Sequence, residues 1–197
     1  MKQEKLESII DTAKKMFARY GFRKTTVNEV ARMARVAKAT IYNCFGSKES
    51  VYLEVLRSEA NEIVERISSA VALQVLPSDK LIAFVKAKFH NMRQAVNILN
   101  LDQEEVGKFL PDAKNIREEL FERQVYIIRS ILQEGVERGV FYLKDSLSTA
   151  RVIGHALKGF EVKQSVQASE ARIEYYLDDL MNTLFYGLMS SKRDVNA

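Results

Sequence analysis

Chain-breaking residues are too scarce in this sequence for anything but long elements. The 197 residues hold 8 Gly and 2 Pro, where average usage would supply roughly 7% and 5%. Barrels, sandwiches and doubly wound sheets depend on many tight turns, so those architectures lose ground at once. Helical periodicity fills the space between breakers. Leu6, Ile9, Ile10, Ala13 and Phe17 keep the spacing of one helix face, and Gly21 follows Tyr20 where a left-handed cap can end that helix. Thr26-Val27-Asn28-Glu29 matches a capping box for a short second helix, with Val27, Val30, Ala31 and Ala34 on its inner side. A third runs from about Lys38 to Phe45, and Ser47 can cap a fourth at Ser50. The stripe Val51, Val55, Ile63, Val64, Ile67 carries that fourth helix to about Leu76, where Pro77 is expected to end it and Ser78 to cap the next. Leu81, Ile82, Val85, Phe89, Met92 and Val96 mark the fifth helix. A short irregular helix falls between Asn97 and Pro111, and a long one opens at Asp112 and closes near Gly139. Two more are expected, from about Leu147 to Ser165 and from Glu170 to Met189. The fold class is all-α.

Composition narrows the setting. Hydrophobic residues make up 47% and charged residues 28%, as in soluble globular proteins. A single cysteine, Cys44, excludes a disulfide framework and a cysteine zinc site and fits a reducing compartment. No apolar stretch approaches the roughly 18 residues of a membrane span, and acids stand where a signal peptide would be apolar. The expected location is cytoplasmic, with no membrane partner. Neither His90 nor His155 has neighbours at metal-ligand spacing. No nucleophile–base set or phosphate loop is present either, so an enzyme, a metal and a cofactor are not expected.

Charge is distributed unevenly. Residues 1–48 carry 11 Lys+Arg against 4 Asp+Glu, a net +7, while the remainder carries 19 against 22, a net −3. A basic head on a mildly acidic body makes nucleic acid the first candidate partner. The two short helices within that head, joined by a few residues, form a helix-turn-helix. In the second of them Ile41 and Phe45 can anchor inward. Lys38, Ala39, Thr40, Tyr42 and Asn43 are left for DNA, where Thr, Asn and Lys reach base edges or phosphates and Ala meets a thymine methyl.

The residues Ile9-Ile10-Asp11-Thr12-Ala13, Phe17, Tyr20-Gly21-Phe22, Thr25-Thr26, Val30-Ala31, Ala39-Thr40-Ile41-Tyr42, Phe45 and Ser47-Lys48-Glu49 resemble the tetracycline-repressor (TetR) family over roughly residues 6–56. The resemblance implies a homodimeric transcriptional regulator, usually a repressor released from double-stranded operator DNA by a small ligand. It implies phosphate contacts from Thr26 and Lys48 and base reading by Thr40, Tyr42 and their neighbours. Three positions depart from the family pattern. Arg35 stands where the family usually has Gly, Ala37 replaces the usual Ser or Thr cap, and Cys44 replaces an aromatic residue or His.

The expected organisation is a helix-turn-helix domain over 1–47, a helical ligand-binding and dimerisation domain over 48–190, and a polar tail over 191–197. Phe84, Phe89, Met92, Phe109, Phe121 and Tyr126 are candidate walls for a largely apolar effector. Ala150, Gly154 and Gly159 keep the penultimate helix thin. With Leu157, and with Leu177, Leu180 and Leu184 on the last helix, they are the expected dimer seam. A ligand-responsive activator and a helical protein-binding adaptor remain as alternatives to a repressor. Under the leading reading, ligand shifts the long fourth helix and changes the separation of two recognition helices that must lie ~34–36 Å, or a near multiple, apart.

Overall fold

The computed structural model describes residues 2–92, 95–100, 110–161 and 170–186. Among these, every regular element is a helix: α1 (Lys2–Lys24), α2 (Val27–Met33), α3 (Lys38–Phe45), α4 (Lys48–Ala72), α5 (Pro77–Met92), α6 (Val96–Asn100), α7 (Pro111–Glu137), α8 (Ser146–Glu161) and α9 (Glu170–Tyr186). α1, α2 and α3 form the helix-turn-helix head, and the remainder forms a larger helical body.

The apolar stripe of α1 is buried as its spacing requires, with Ile9, Ala13 and Phe17 almost fully enclosed. Gly21 breaks the helix at φ 79°, ψ 164°, a region open to glycine, and Phe22 then turns back onto Phe17 and Tyr52. Thr26 and Glu29 close the expected capping box on α2, and the Ser47 hydroxyl accepts from the Ser50 amide at the start of α4.

The boundary at Pro77 differs from the expectation. α4 stops at Ala72, four residues short of Leu76, and Pro77 is the first residue of α5. Leu73 and Val75 are 81% and 75% exposed, so no burial sustains the helix past Ile67 and Val71. A proline pushes its predecessor out of the helical region while suiting the first helical position itself, which is also where Pro111 sits in α7.

α4 is the axis of the molecule. It packs on α1 and α3 of the head and on α5, α6 and α7 of the body. Its buried positions Val51, Val55, Glu59, Ile63 and Ile67 recur every fourth residue, and the central one is a carboxylate. Glu59 Oε1 accepts from Asn97 Nδ2 at 2.7 Å and Glu59 Oε2 from the Ile98 amide at 3.0 Å, so the first turn of α6 is tied to the middle of α4.

Burial pushes the Glu59 carboxyl above the ordinary glutamate range, against the opposing pull of the Ile98 amide, Asn97 and the charge of Lys14. A carboxyl that holds its proton more tightly when folded lends stability that is complete below the unfolded pKa. That stability is lost as pH rises through the folded one. In melts from about pH 4 to about pH 8, wild type should therefore lose ground steadily against Glu59→Gln as pH increases. A Tm difference that is flat, or that moves the other way, overturns this account of the site.

Candidate nucleic-acid interface and effector bundle

The turn between α2 and α3 is where the sequence departs from the family pattern, and the structure shows how it copes. Arg35 adopts φ 55°, a left-handed conformation unusual for a side-chain-bearing residue. The Val36 amide reaches the Ala31 carbonyl at 3.0 Å and the Arg35 amide reaches that of Arg32 at 3.3 Å, the bond pair of a Schellman cap. Half-buried Val36 packs against the core as that motif asks. The left-handed turn is kept although Arg replaces Gly, at a cost of about 1–2 kcal/mol in backbone strain. Ala37 then begins α3 in cap geometry (φ −68°, ψ 144°) with no side-chain hydrogen bond.

α3 presents two unlike faces. Ile41 is 1% exposed and holds the helix to the core, with Phe45 half-buried beside it. Lys38, Ala39, Tyr42 and Asn43 are exposed and Thr40 is half-exposed, so all five candidate DNA contacts on this helix have surface to offer. The Lys38 ammonium lies 5.6 Å from the centre of the Tyr42 ring, which props the two side chains against each other. Cys44 is also exposed.

The two candidates at the edges of the head are engaged internally. The Thr26 hydroxyl accepts from the Glu29 amide; in return the hydroxyl (2.7 Å) and the Thr26 amide (2.9 Å) both donate to Glu29 Oε2, and these two bonds hold the Glu29 carboxyl below its ordinary range. Lys48 Nζ donates to the carbonyls of Phe22 (2.9 Å) and Thr25 (3.2 Å) and sits 4.2 Å above the Phe22 ring. It thereby binds the chain just after the Gly21 break to the start of α4.

In the body, Phe84 and Phe89 are buried on α5. Phe121 on α7 turns instead to α8, where its ring lies 4.8 Å from that of His155 and 5.4 Å from Lys158 Nζ. Tyr126 is 68% exposed and lines no interior wall. The side chain of Met92 and all of Phe109 lie outside the described residues. Sequence patterning overlooked the polar members of this interior. Lys88 and Gln124 are 2% and 5% exposed, and the Lys88 ammonium donates to Gln124 Oε1 across the α5–α7 interface. Asn91, also buried, accepts from Arg66 at 3.2 Å. The available signal was a polar residue on an apolar stripe: Phe84, Lys88 and Asn91 share one face of α5, and Leu120, Gln124 and Ile128 one face of α7.

The thin side of α8 faces its own subunit. Ala150 and Leu157 are fully enclosed, and a Cβ at Gly154 would stand 3.1 Å from the Phe121 ring and 3.3 Å from Val125. Leu180 is half-buried against the core, Leu184 is 39% exposed, and the Leu177 side chain lies outside the described residues. The outward face of α8 carries Val152, His155, Ala156 and Gly159, all exposed, with open space around Gly159.

The uncapped start of α3 gives a direct test. Ala37→Ser supplies the missing acceptor in a backbone already shaped for it, so stability should rise by about 1 kcal/mol, read as a higher denaturant midpoint at unchanged slope. A midpoint that stays or falls shows that the cap amides of α3 are already satisfied.

Comparison with known proteins agrees with this geometry. Residues 9–55 match the family model described as bacterial regulatory proteins, tetR family. The chain is 25% identical over 138 residues to the fatty acid metabolism regulator protein of Bacillus subtilis, covering 70% of this chain and 71% of that one. It is 28% identical over 137 residues to the HTH-type transcriptional repressor KstR2 of Mycolicibacterium smegmatis, covering 68% and 66%. Its fold matches that of the transcriptional regulator FadR from Bacillus subtilis, solved in complex with stearoyl-CoA, with a TM-score of 0.75 at 20% identity over 93% of this chain and 99% of that one. Residues 9–55 are thus a TetR-family helix-turn-helix head with α3 facing outward, and the helical body behind it has the fold of FadR, itself a transcriptional regulator.

Proposed function

We propose that the protein is a homodimeric repressor that releases its operator when a long-chain acyl thioester, or an amphiphile of that kind, enters the bundle of α4, α5 and α7. The observation that carries the DNA half is the division of α3 between a buried Ile41 and an open face of Lys38, Ala39, Thr40, Tyr42 and Asn43 on a head of net charge +7. Those five side chains make the base and phosphate contacts. Thr26 and Lys48 serve mainly by fixing the shape of the head, since their polar atoms already hold the α2 cap and the end of α1.

Two observations support the effector class. Relatives include a fatty acid metabolism regulator and a fold neighbour bound to stearoyl-CoA. The interior of this chain sets a buried ammonium, Lys88, and two amides, Gln124 and Asn91, among apolar residues that include Phe84 and Phe89. Such a wall suits an acyl chain ending in a carbonyl or anionic group. The test is an operator selected from random-sequence DNA, followed by gel-shift titration with stearoyl-CoA. The complex should dissociate, and Lys88→Met should raise the stearoyl-CoA concentration needed by about tenfold while leaving operator binding intact. Operator affinity indifferent to stearoyl-CoA overturns the effector class, and affinity indifferent to salt overturns direct phosphate binding.

The dimer seam follows the outward stripe of α8, Val152, Ala156 and Gly159, rather than the enclosed Ala150, Gly154 and Leu157. Small exposed residues at helical spacing let a second helix approach closely. Ala156→Glu places a carboxylate on that seam and should yield monomers by analytical ultracentrifugation, with operator affinity lost in step. A dimer unchanged in mass and stability by this substitution assigns the seam elsewhere.

A further inference from the structure

A buried polar cluster sits where α6 meets α1 and α4, at the junction of head and body. Asn97 is 2% exposed. Its side-chain amide carries two hydrogens and both are used across elements: Nδ2 donates to Glu59 Oε1 on α4 at 2.7 Å and to the Lys14 carbonyl on α1 at 3.1 Å. The adjoining Ile98 amide takes the other oxygen of Glu59 at 3.0 Å. The Asn97 carbonyl receives the Tyr52 hydroxyl at 3.5 Å. The Tyr52 ring in turn packs edge-on against Phe17 and tilted against Phe22, both with centroids 4.9 Å away. Phe22 follows the Gly21 break, and its carbonyl holds Lys48. On the outer side Lys14 Nζ pairs with Glu62 at 2.7 Å, a second tie between α1 and α4.

We propose that Asn97, held by Glu59, is a positioning residue that clamps the DNA-reading head to the body at a fixed angle and makes the start of α6 the point through which movement of the body reaches α1. This rests on the reading of the chain as a dimeric operator-binding regulator. The physical ground is that the bonds are directional, enclosed and mutually dependent. Water cannot replace a donor lost at 2% exposure, so leaving Glu59 or the amide unpaired is penalised far more than at a surface. A hydrogen bond also fails within a fraction of an ångström of stretch. α6 therefore cannot shift while α1 and α4 stay in place: either all three move together or the cluster opens. An apolar residue at 97 would fill the volume without imposing that choice. The route is short and contiguous, from α6 through Asn97 straight to the α1 backbone, in parallel with the longer path through Tyr52, Phe22 and Lys48.

The test compares wild type with Asn97→Leu, which keeps bulk and removes both donors, and with Asn97→Ser, which is smaller and remains polar should the first variant fold poorly. Each is titrated on a selected operator and on copies with one base pair added or removed between the half-sites, and amide exchange is followed in α1 and α7. A rigid dimer discriminates sharply between spacings. The variants should tolerate the altered spacings at least about threefold better relative to the parent operator, and α1 around Lys14 should exchange about tenfold faster while α7 keeps its protection. General loss of stability would lower binding to every spacing alike and speed exchange in both helices. Unchanged spacing discrimination with unchanged α1 protection overturns the clamp. Should wild type select no operator, the regulator reading itself fails, and the α1 exchange result still decides whether the clamp exists.

Discussion

One helix belongs to both halves of this molecule, and the rest of the structure is arranged around that fact. α4 buries Val51, Tyr52, Val55, Leu56, Ile63 and Ile67 along its length and packs on α1 and α3 of the head as well as on α5, α6 and α7 of the body. The buried residues form one cluster from Ile9 through to Met181, so the head shares a core with the body rather than hanging from a linker. Close-packed interiors transmit displacement because they have few alternative arrangements. The carboxylate of Glu59 lies at the midpoint of this shared helix. A methyl-bearing residue there would pack without direction, whereas Glu59 demands particular donors from α6 and so sets the register between α4 and the segment that crosses from body to head.

Much of the fold was legible in the sequence because it follows from local rules. The capping box at Thr26, the N-cap at Ser47, the stripe of α1 and the break at Gly21 need only neighbours within four residues to be read. The end of α4 was misplaced because periodicity alone cannot show that burial runs out. Leu73, Val75 and Leu76 continue an apolar pattern into solvent. The same limit governs the body. Gly154 in a helix announces a close approach, but only the tertiary structure shows that the approaching group is Phe121 of the same subunit. Of the candidate wall, Phe84 and Phe89 are interior and Tyr126 is not. A helix with apolar residues on more than one side does not declare which side is covered. The polar residues within the stripes, Glu59, Lys88 and Gln124, were visible as interruptions of a pattern. Partner identities come only from long-range packing, which has no local signature.

The head accepts local costs at its turn. Arg35 holds a left-handed conformation that glycine would adopt freely, and Ala37 forgoes a cap, together worth about 2–3 kcal/mol against the fold. Neither cost distorts the turn, since the Schellman bonds and the packing of Val36 are intact. The compensation is tertiary. Ile41 is enclosed, and Lys48 draws the carbonyls after the α1 break onto the start of α4. A head stabilised from beneath keeps its outward face free of structural duty, which explains how Lys38, Ala39, Tyr42 and Asn43 can all remain exposed.

On the proposed reading of the chain as an effector-released repressor, those constraints make a small motion sufficient for release. The 25 residues of α4 span about 37 Å at 1.5 Å per residue. A tilt of ~5° about its body end therefore carries Lys48 and the attached head by ~3 Å. Hydrogen bonds to base edges survive only a few tenths of an ångström of misplacement, so in a two-fold dimer such a tilt in each subunit takes both recognition helices out of register. An effector need not unfold the head or push on α3. It needs only to favour the tilted arrangement of α4 over the straight one, and the surplus affinity it has for that arrangement is the whole of its leverage over the operator. In that proposal the shared core and the Glu59–Asn97 tie turn the surplus into movement of the head, because a body that shifts while the head remains behind must break the buried bonds of Asn97.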